Sequence, residues 1–376
     1  AQAAEEAADL KAHPGPEDWD RWGGWVGGPR LRATGFFRTE KVQGMWWLVT
    51  PTGRLFWSYG IDCINPSAGT PVTGREGYFE GLPPVSGAPE GVYGKDQWAG
   101  PLVDHYAWNM LRKYGDHWRE SFGERAHARL RSWGMNTVGN WSDENVRLAR
   151  RTPYVVPVHF ASPVIEGSEA SFYQFHDVFD PGFRMAVRAT LEHERGKSAG
   201  DPWCLGYFVD NEMNWGEDTD LAGAVLRSSP GQYAKKVLVE ELQARYGDVA
   251  ALNRAWGTRH ATWDDLRKSS QPPANAQGAR ADLKRFNRRI AETYFRICRD
   301  EVKRIAPGQL YLGCRFTWEG EFGFEQAAKY CDVVSFNLYR LELESLRLPR
   351  ELGVPVIIGE FHFGATDRNN VNSALV

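Results

Sequence analysis

Two glutamates stand where a carboxylate can do chemistry. Glu212 closes the run Tyr207-Phe-Val-Asp-Asn-Glu212, and Glu360 closes Val356-Ile-Ile-Gly-Glu360. Each follows an apolar, strand-sized stretch and is preceded by an amide or a glycine. Two carboxyl groups in one cleft can hydrolyse a glycosidic bond with retention: one protonates the leaving oxygen, and the other, about 5–5.5 Å away, attacks the anomeric carbon. The plainer reading of any such carboxylate is that it favours the start of a following helix, and with 48 acidic residues some will follow strands by chance. Two in one chain, both directly behind strands, favour the catalytic reading.

The fold must bring these distant positions together. Short apolar runs at Leu55–Ile61, Asn136–Asn140, Tyr154–His159, Cys204–Val209, Leu310–Cys314, Val333–Asn337 and Val354–Ile358 alternate with helical stretches around 116–133, 143–151, 182–195, 231–246 and 281–306. Such alternation implies parallel βαβ units, in a barrel or a doubly wound sheet. No Gly-x-Gly-x-x-Gly opens a helix after the first strand, which argues against a dinucleotide-binding sheet. The expected fold is therefore α/β, a (β/α)8 TIM barrel, whose strands deliver side chains from their C-terminal ends to one active face. Seven strands are counted and the eighth unit is not evident in this chain. Turn chemistries at Val42-Gln-Gly-Met45 and Thr50-Pro-Thr-Gly-Arg54 make a small β-meander of the segment before it. The expected division is an N-terminal extension and meander over 1–54 and a catalytic barrel over 55–376. Residues 65–102, rich in Gly and Pro, read as a long functional loop forming a wall of the site.

Composition removes several partner classes. The 376 residues carry 45 basic and 48 acidic side chains, a net charge of −3, with no Lys/Arg run long enough to track phosphates, so nucleic acid is not an expected partner. No stretch approaches the ~18 apolar residues of a membrane helix. Sixteen Trp, beside 14 Tyr and 19 Phe, either stack on sugar faces or fill a large core. Five cysteines without a Cys-x-x-Cys pair suggest neither zinc nor a complete disulfide framework, and four read as buried thiols. No metal or cofactor is expected, His176-Asp177 being too isolated for a metal site. The start, Ala1-Gln-Ala-Ala-Glu-Glu, lacks signal-peptide character and reads either as the beginning of a mature secreted or periplasmic chain or as an arbitrary boundary.

Asn211-Glu212 after the fourth strand and Gly359-Glu360 after the seventh resemble the signature of clan A glycoside hydrolases, retaining (β/α)8 barrels. Tyr246-Gly-Asp-Val-Ala-Ala-Leu-Asn-Arg-Ala-Trp-Gly257 resembles a helix shared by the β-galactosidases of family 42 and the exo-β-agarases of family 50. The run from Gly35 to Trp57, Phe208-Val-Asp-Asn-Glu-Met-Asn-Trp-Gly216 and Gly359-Glu-Phe-His-Phe-Gly364 are closer to family 50. The resemblance spans the chain from about Gly35 onward. It implies an exo-acting β-agarase-like enzyme that cleaves β-linked galactose units of a red-algal oligo- or polysaccharide. Glu212 is then the acid/base, which must be protonated at working pH, and Glu360 the nucleophile, which must stay ionised. Asn211 is placed to bond the sugar 2-hydroxyl, and Tyr339, in Ser335-Phe-Asn-Leu-Tyr339, resembles the clan tyrosine that donates to the nucleophile.

Other candidates keep two readings each. Arg315 either orients Glu360 or neutralises a nearby carboxylate; His362 either bonds substrate hydroxyls or is satisfied by backbone. His159, Asn140 and Trp141 end earlier strands, and Trp215 and Trp318 follow later ones. The tryptophans are sugar platforms or wedges between loop and barrel, with Trp215, beside the Asn-Glu pair, the first choice as a platform. Two rival functions stand beside the main one. A β-galactosidase on short oligosaccharides would use the same glutamates in a closed pocket. A non-catalytic carbohydrate-binding barrel would not require both carboxylates together with Asn211 and Tyr339.

Overall fold

A computed structural model describes residues 1–83, 86, 91–96, 100–169, 173–317, 321–339 and 352–361. The chain groups into two compact units, Ala1–Ala33 with Thr52–Val155 and Thr34–Pro51 with Val156–Val376. The seven parallel strands are labelled β1 (Gly60–Ile61), β2 (Thr137–Val138), β3 (Tyr154–Val158), β4 (Cys204–Val209), β5 (Leu310–Tyr311), β6 (Val334–Asn337) and β7 (Val356–Glu360). Each overlaps one of the seven apolar runs of the sequence, and helices lie between successive strands from β1 to β6, so the fold is α/β.

In the first unit Gly60 and Ile61 pair with Thr137 and Val138, and Tyr154 pairs with Val138, all parallel. Between β1 and β2 lie the helices His105–Tyr114 and Trp118–Ser132. The first is capped by Asp104, whose carboxylate accepts from Ala107 N at 2.7 Å. The run Leu55–Ile61 is not one strand. Arg54–Phe56 pairs antiparallel with Trp25–Arg30, and only Gly60–Ile61 joins the parallel set. The break falls where the Asn136 side chain accepts from Tyr59 N (2.9 Å) and donates to Trp57 O (3.0 Å), replacing ladder bonds by side-chain ones. Residues 65–102 are also not a structureless loop. Gly69–Pro71 and Tyr93–Asp96 flank Gly100–Asp104 in a three-stranded antiparallel sheet, because short strands of mixed composition can pair without a hydrophobic alternation that a sequence would show.

In the second unit Arg38–Val42 and Met45–Val49 form a hairpin closed by Gln43 and Gly44, both at positive φ, as a two-residue turn of matching twist requires. The parallel order runs from β3 onward. Asp210 N bonds Val158 O; Gly206 and Tyr207 pair with Leu310 and Tyr311; Phe316 bridges to Phe336; and Val334, Ser335 and Phe336 pair with Val356, Ile357 and Ile358. The register slips between Phe336 and Asn337, so that Asn337 stands opposite Glu360. The 30-residue helix Ala276–Ile305, capped by Asn275, buries one face along its whole length. Its Phe295 stacks on Trp215 (ring centroids 5.3 Å apart), and Trp215 in turn meets Tyr294 and Phe316. Each such aromatic pair adds about 0.5–1.5 kcal/mol beyond the area it buries. Cys204, Cys298, Cys314 and Cys331 are buried thiols, and burial pushes those of Cys298, Cys314 and Cys331 up.

Candidate active site

Strands β4 to β7 each bring a polar side chain to one place in the second unit. Asn211 and Glu212 follow β4, Arg315 follows β5, Asn337 ends β6 with Tyr339 two residues beyond, and Glu360 ends β7. Asn337 is the centre of the group. Its Nδ2 lies 2.7 Å from Glu212 Oε1, 3.3 Å from Glu360 Oε2 and 3.3 Å from Asn211 Oδ1. The two glutamate oxygens are therefore no further apart than those first two bonds laid end to end. The fully buried Arg315 donates to Glu360 Oε2 at 2.5 Å through Nη2 and to Asn337 Oδ1 at 3.1 Å through Nε. The Tyr339 hydroxyl donates to the other oxygen of Glu360. Gly359 is what admits Arg315 so close: a Cβ there would stand 3.2 Å from Arg315 Cγ and 3.4 Å from Asn337 Oδ1.

The backbone carrying these groups is strained. Asp210 (φ 61°), Glu212 (φ 51°) and Arg315 (φ 56°) all occupy the left-handed region, which costs a non-glycine residue of order 1 kcal/mol or more and persists only where neighbours over-determine it. The neighbours are visible. The buried Asp210 carboxylate accepts from Tyr294 OH at 2.7 Å and faces His176 Nε2 at 3.4 Å. Tyr173 OH donates to Asn211 O at 2.9 Å and accepts from Asn211 N at 3.2 Å, while Glu212 N donates to Arg315 O at 3.3 Å. Burial first, and then the nearby Asp210 charge, pushes the Tyr173 hydroxyl up and keeps it a neutral donor. His159, at the end of β3, is held below the ordinary imidazole range by desolvation, against the opposing pull of Asp210.

Among the sequence candidates, the second unit thus gathers Asn211, Glu212, Arg315, Tyr339 and Glu360, with His159 within electrostatic reach of Arg315. Both readings of Arg315 hold together, since it pairs with Glu360 and orients it. Trp215 requires correction. It is wholly buried among Phe175, Tyr294, Phe295 and Phe316, offers no ring face to a ligand, and is the wedge rather than the platform. Asn140 and Trp141 belong to the first unit, where Asn140 is buried with its backbone N bonded to Asp62 (2.7 Å) and Trp141 is half-buried with φ 56°. His362 and Trp318 lie outside the described residues. Asn337, Asp210, Tyr173 and His176 escaped the sequence reading. The available signal was position: Asn337 and Asp210 sit inside runs already singled out for Tyr339 and Glu212. His176 Nδ1 lies 2.8 Å from Ser162 Oγ and its Nε2 faces Asp210 at 3.4 Å.

A family model described as Beta-galactosidase matches residues 166–352, a span that holds Glu212, Arg315 and Asn337. Beta-agarase B of Vibrio sp. strain JT0107 is 32% identical over 94% of this chain and 42% of its own length. The crystal structure of an agarase superposes with a TM-score of 0.87 at 30% identity, covering 97% of this chain and 57% of that one. An exo-beta-agarase structure superposes with a TM-score of 0.86 at 28% identity, covering 97% and 58%. The chain spans about half the length of the relatives it matches.

Proposed function

We propose that the chain is a family 50-like protein related to clan A, a retaining glycoside hydrolase that cleaves β-galactosidic linkages of agarose-type galactans or their oligosaccharides from a chain end. The observation that carries the proposal is the sharing of Asn337 Nδ2 by Glu212 and Glu360. It keeps one oxygen of each glutamate within the reach of the two bonds from one amide nitrogen, which supports the ~5–5.5 Å of a retaining pair over the ~6.5–9.5 Å that an inverting pair needs to admit water. The names of the relatives, agarases and an exo-beta-agarase, supply the substrate class. The (β/α)8 barrel, with 1–54 as its leading segment and 55–376 as the catalytic body, belongs to the same proposal, supported by the consecutive parallel neighbours β4 to β7.

In this reading Glu360, oriented by Arg315 and Tyr339, attacks the anomeric carbon as Glu212 gives its proton to the departing oxygen. The glycosyl ester so formed is opened by a water whose proton returns to Glu212. Donors aimed at Glu360 favour its charged form, as a carboxylate nucleophile requires. Asn211, whose backbone is held by Tyr173, would bond the sugar 2-hydroxyl. The test is product analysis on agarose, agaro-oligosaccharides, porphyran and carrageenan fragments, with the anomer of the first product followed by proton NMR. Release of short β-anomeric products from agarose is expected, and Glu212→Gln and Glu360→Gln should each lower the rate about a thousandfold. Full activity in either variant, or an α-anomeric first product, removes the pair from the mechanism. The match to the Beta-galactosidase family model favours one rival, an enzyme of short oligosaccharides with the same glutamates; hydrolysis of lactose-sized galactosides with none of agarose would establish it.

A further inference from the structure

The amide of Asn337 has more acceptors than hydrogens. Its two N–H bonds face three oxygens, at 2.7 Å (Glu212), 3.3 Å (Glu360) and 3.3 Å (Asn211). The orientation of the amide is fixed chemically. Arg315 Nε can only donate, so the atom 3.1 Å from it must be the carbonyl oxygen and the nitrogen must face the carboxylates. Donation from a buried guanidinium also polarises the amide, which strengthens whatever its nitrogen gives. Among the described residues, the charged and titratable groups on the strands that meet there are Asp210 and Glu212 after β4, Arg315 after β5, Tyr339 after β6, Glu360 on β7, and His159 after β3. Arg315 and Tyr339 bond Glu360, Tyr294 bonds Asp210, and Asn337 is the donor that reaches Glu212 as well as Glu360.

Resting on the reading of Glu212 and Glu360 as the working pair, we propose that Asn337 is a positioning residue that couples them, one polarised amide whose hydrogens are shared between the acid/base and the nucleophile so that the two carboxyls titrate as a linked pair. When Glu212 holds its proton its oxygen accepts weakly, and the amide favours the Glu360 carboxylate. Once Glu360 is esterified by the sugar and Glu212 has lost its proton, the strong bond belongs to Glu212. The amide follows the negative charge from one glutamate to the other.

Removing a shared donor makes the charged form of both glutamates less favourable directly, while removing Tyr339 OH acts directly on Glu360 and reaches Glu212 only through the linkage. The test is a pH titration of full-length protein labelled with carbon-13 at the glutamate carboxyls, the two signals assigned from Glu212→Gln and Glu360→Gln. In Asn337→Ser both titrations are expected to move up by about one pH unit, the value of one hydrogen bond to a charged group. In Tyr339→Phe the Glu360 titration should move the most, with a smaller displacement of Glu212. Asn337→Asp, equal in shape and still an acceptor for Arg315, keeps the test open if the serine variant fails to fold, and should raise both further by adding a like charge. In kcat/KM profiles on agaro-oligosaccharides, both limbs should rise together in the Asn337 variants, whereas the bell should narrow from its acid side in Tyr339→Phe. Movement of one carboxyl only, or of neither, overturns the coupling. The NMR titration needs no substrate, so a linked pair in a chain inactive on every galactan would defeat the glycosidase reading and leave this inference standing.

Discussion

At the scale of single residues, the site was legible where chemistry restricts residue type and obscure where it does not. A carboxylate closing an apolar strand has few ordinary uses, and Glu212 and Glu360 stood out for that reason. An amide such as Asn337 has many uses, and its residue type alone does not separate it from Asn211 two strands earlier. Trp215 misled because an indole serves a sugar face and a core equally well, and only its complete burial against Phe295 decides between them. Two outcomes follow from the geometry. Arg315→Lys keeps the charge but loses the fork that holds Asn337 and Glu360 at once, and kcat/KM is expected to fall about a hundredfold with the far-ultraviolet circular dichroism unchanged. Trp215→Phe should lower the unfolding free energy by about 1–3 kcal/mol in urea titrations and leave KM as it was, since the ring supports the loop after β4 from within. A large rise in KM with unaltered stability would restore the platform.

At the scale of elements, all seven parallel strands were legible as apolar runs, and the helices that punctuate them mostly so. Short helices and the antiparallel strands between 69 and 104 were not, because pairing energy rather than periodicity makes them. One junction shows what local sequence cannot. Lys235, fully buried in the helix Tyr233–Tyr246, donates to Ser228 O (2.6 Å) and Ser269 O (2.7 Å), the residues that terminate the helices Asp220–Arg227 and Trp263–Lys268. A cation thus closes two helix C-termini, where carbonyls are left without partners and the dipole is negative. Lys235→Met should fit the space, strand both carbonyls and cost about 2–4 kcal/mol by chemical denaturation. Hydrogen exchange should rise first in those two helices.

At the scale of the whole molecule, each unit carries a carboxylate with several donor partners, half-buried Glu6 in the first and fully buried Glu301 in the second. In the first unit burial raises the Glu6 carboxyl, but donors from Tyr114, Lys113 and Arg129 outweigh it and hold it at about 2. In the second, burial of Glu301 is likewise outweighed by Arg188, Arg304 and Arg184, again at about 2. Both carboxyls are depressed by folding, so their contribution is fully present above the ordinary glutamate range and is lost as pH falls through it toward 2. Urea midpoints are expected to be flat down to about pH 5 and to fall steeply below pH 4. Glu301→Gln should lower the plateau and flatten the acid slope, and an unchanged slope would remove the arginine cluster from the account. Among the described residues no helix is long and apolar enough to cross a membrane.

The burial of Arg315 has a consequence for descent. A lineage drifting away from hydrolysis can lose Glu212 and forfeit one amide bond, but losing Glu360 takes the carboxylate from a cation with no exposure to solvent. Relatives that still fold without hydrolysing a glycoside should therefore have given up Glu212 while keeping Glu360, and any that lack Glu360 should have replaced Arg315 as well.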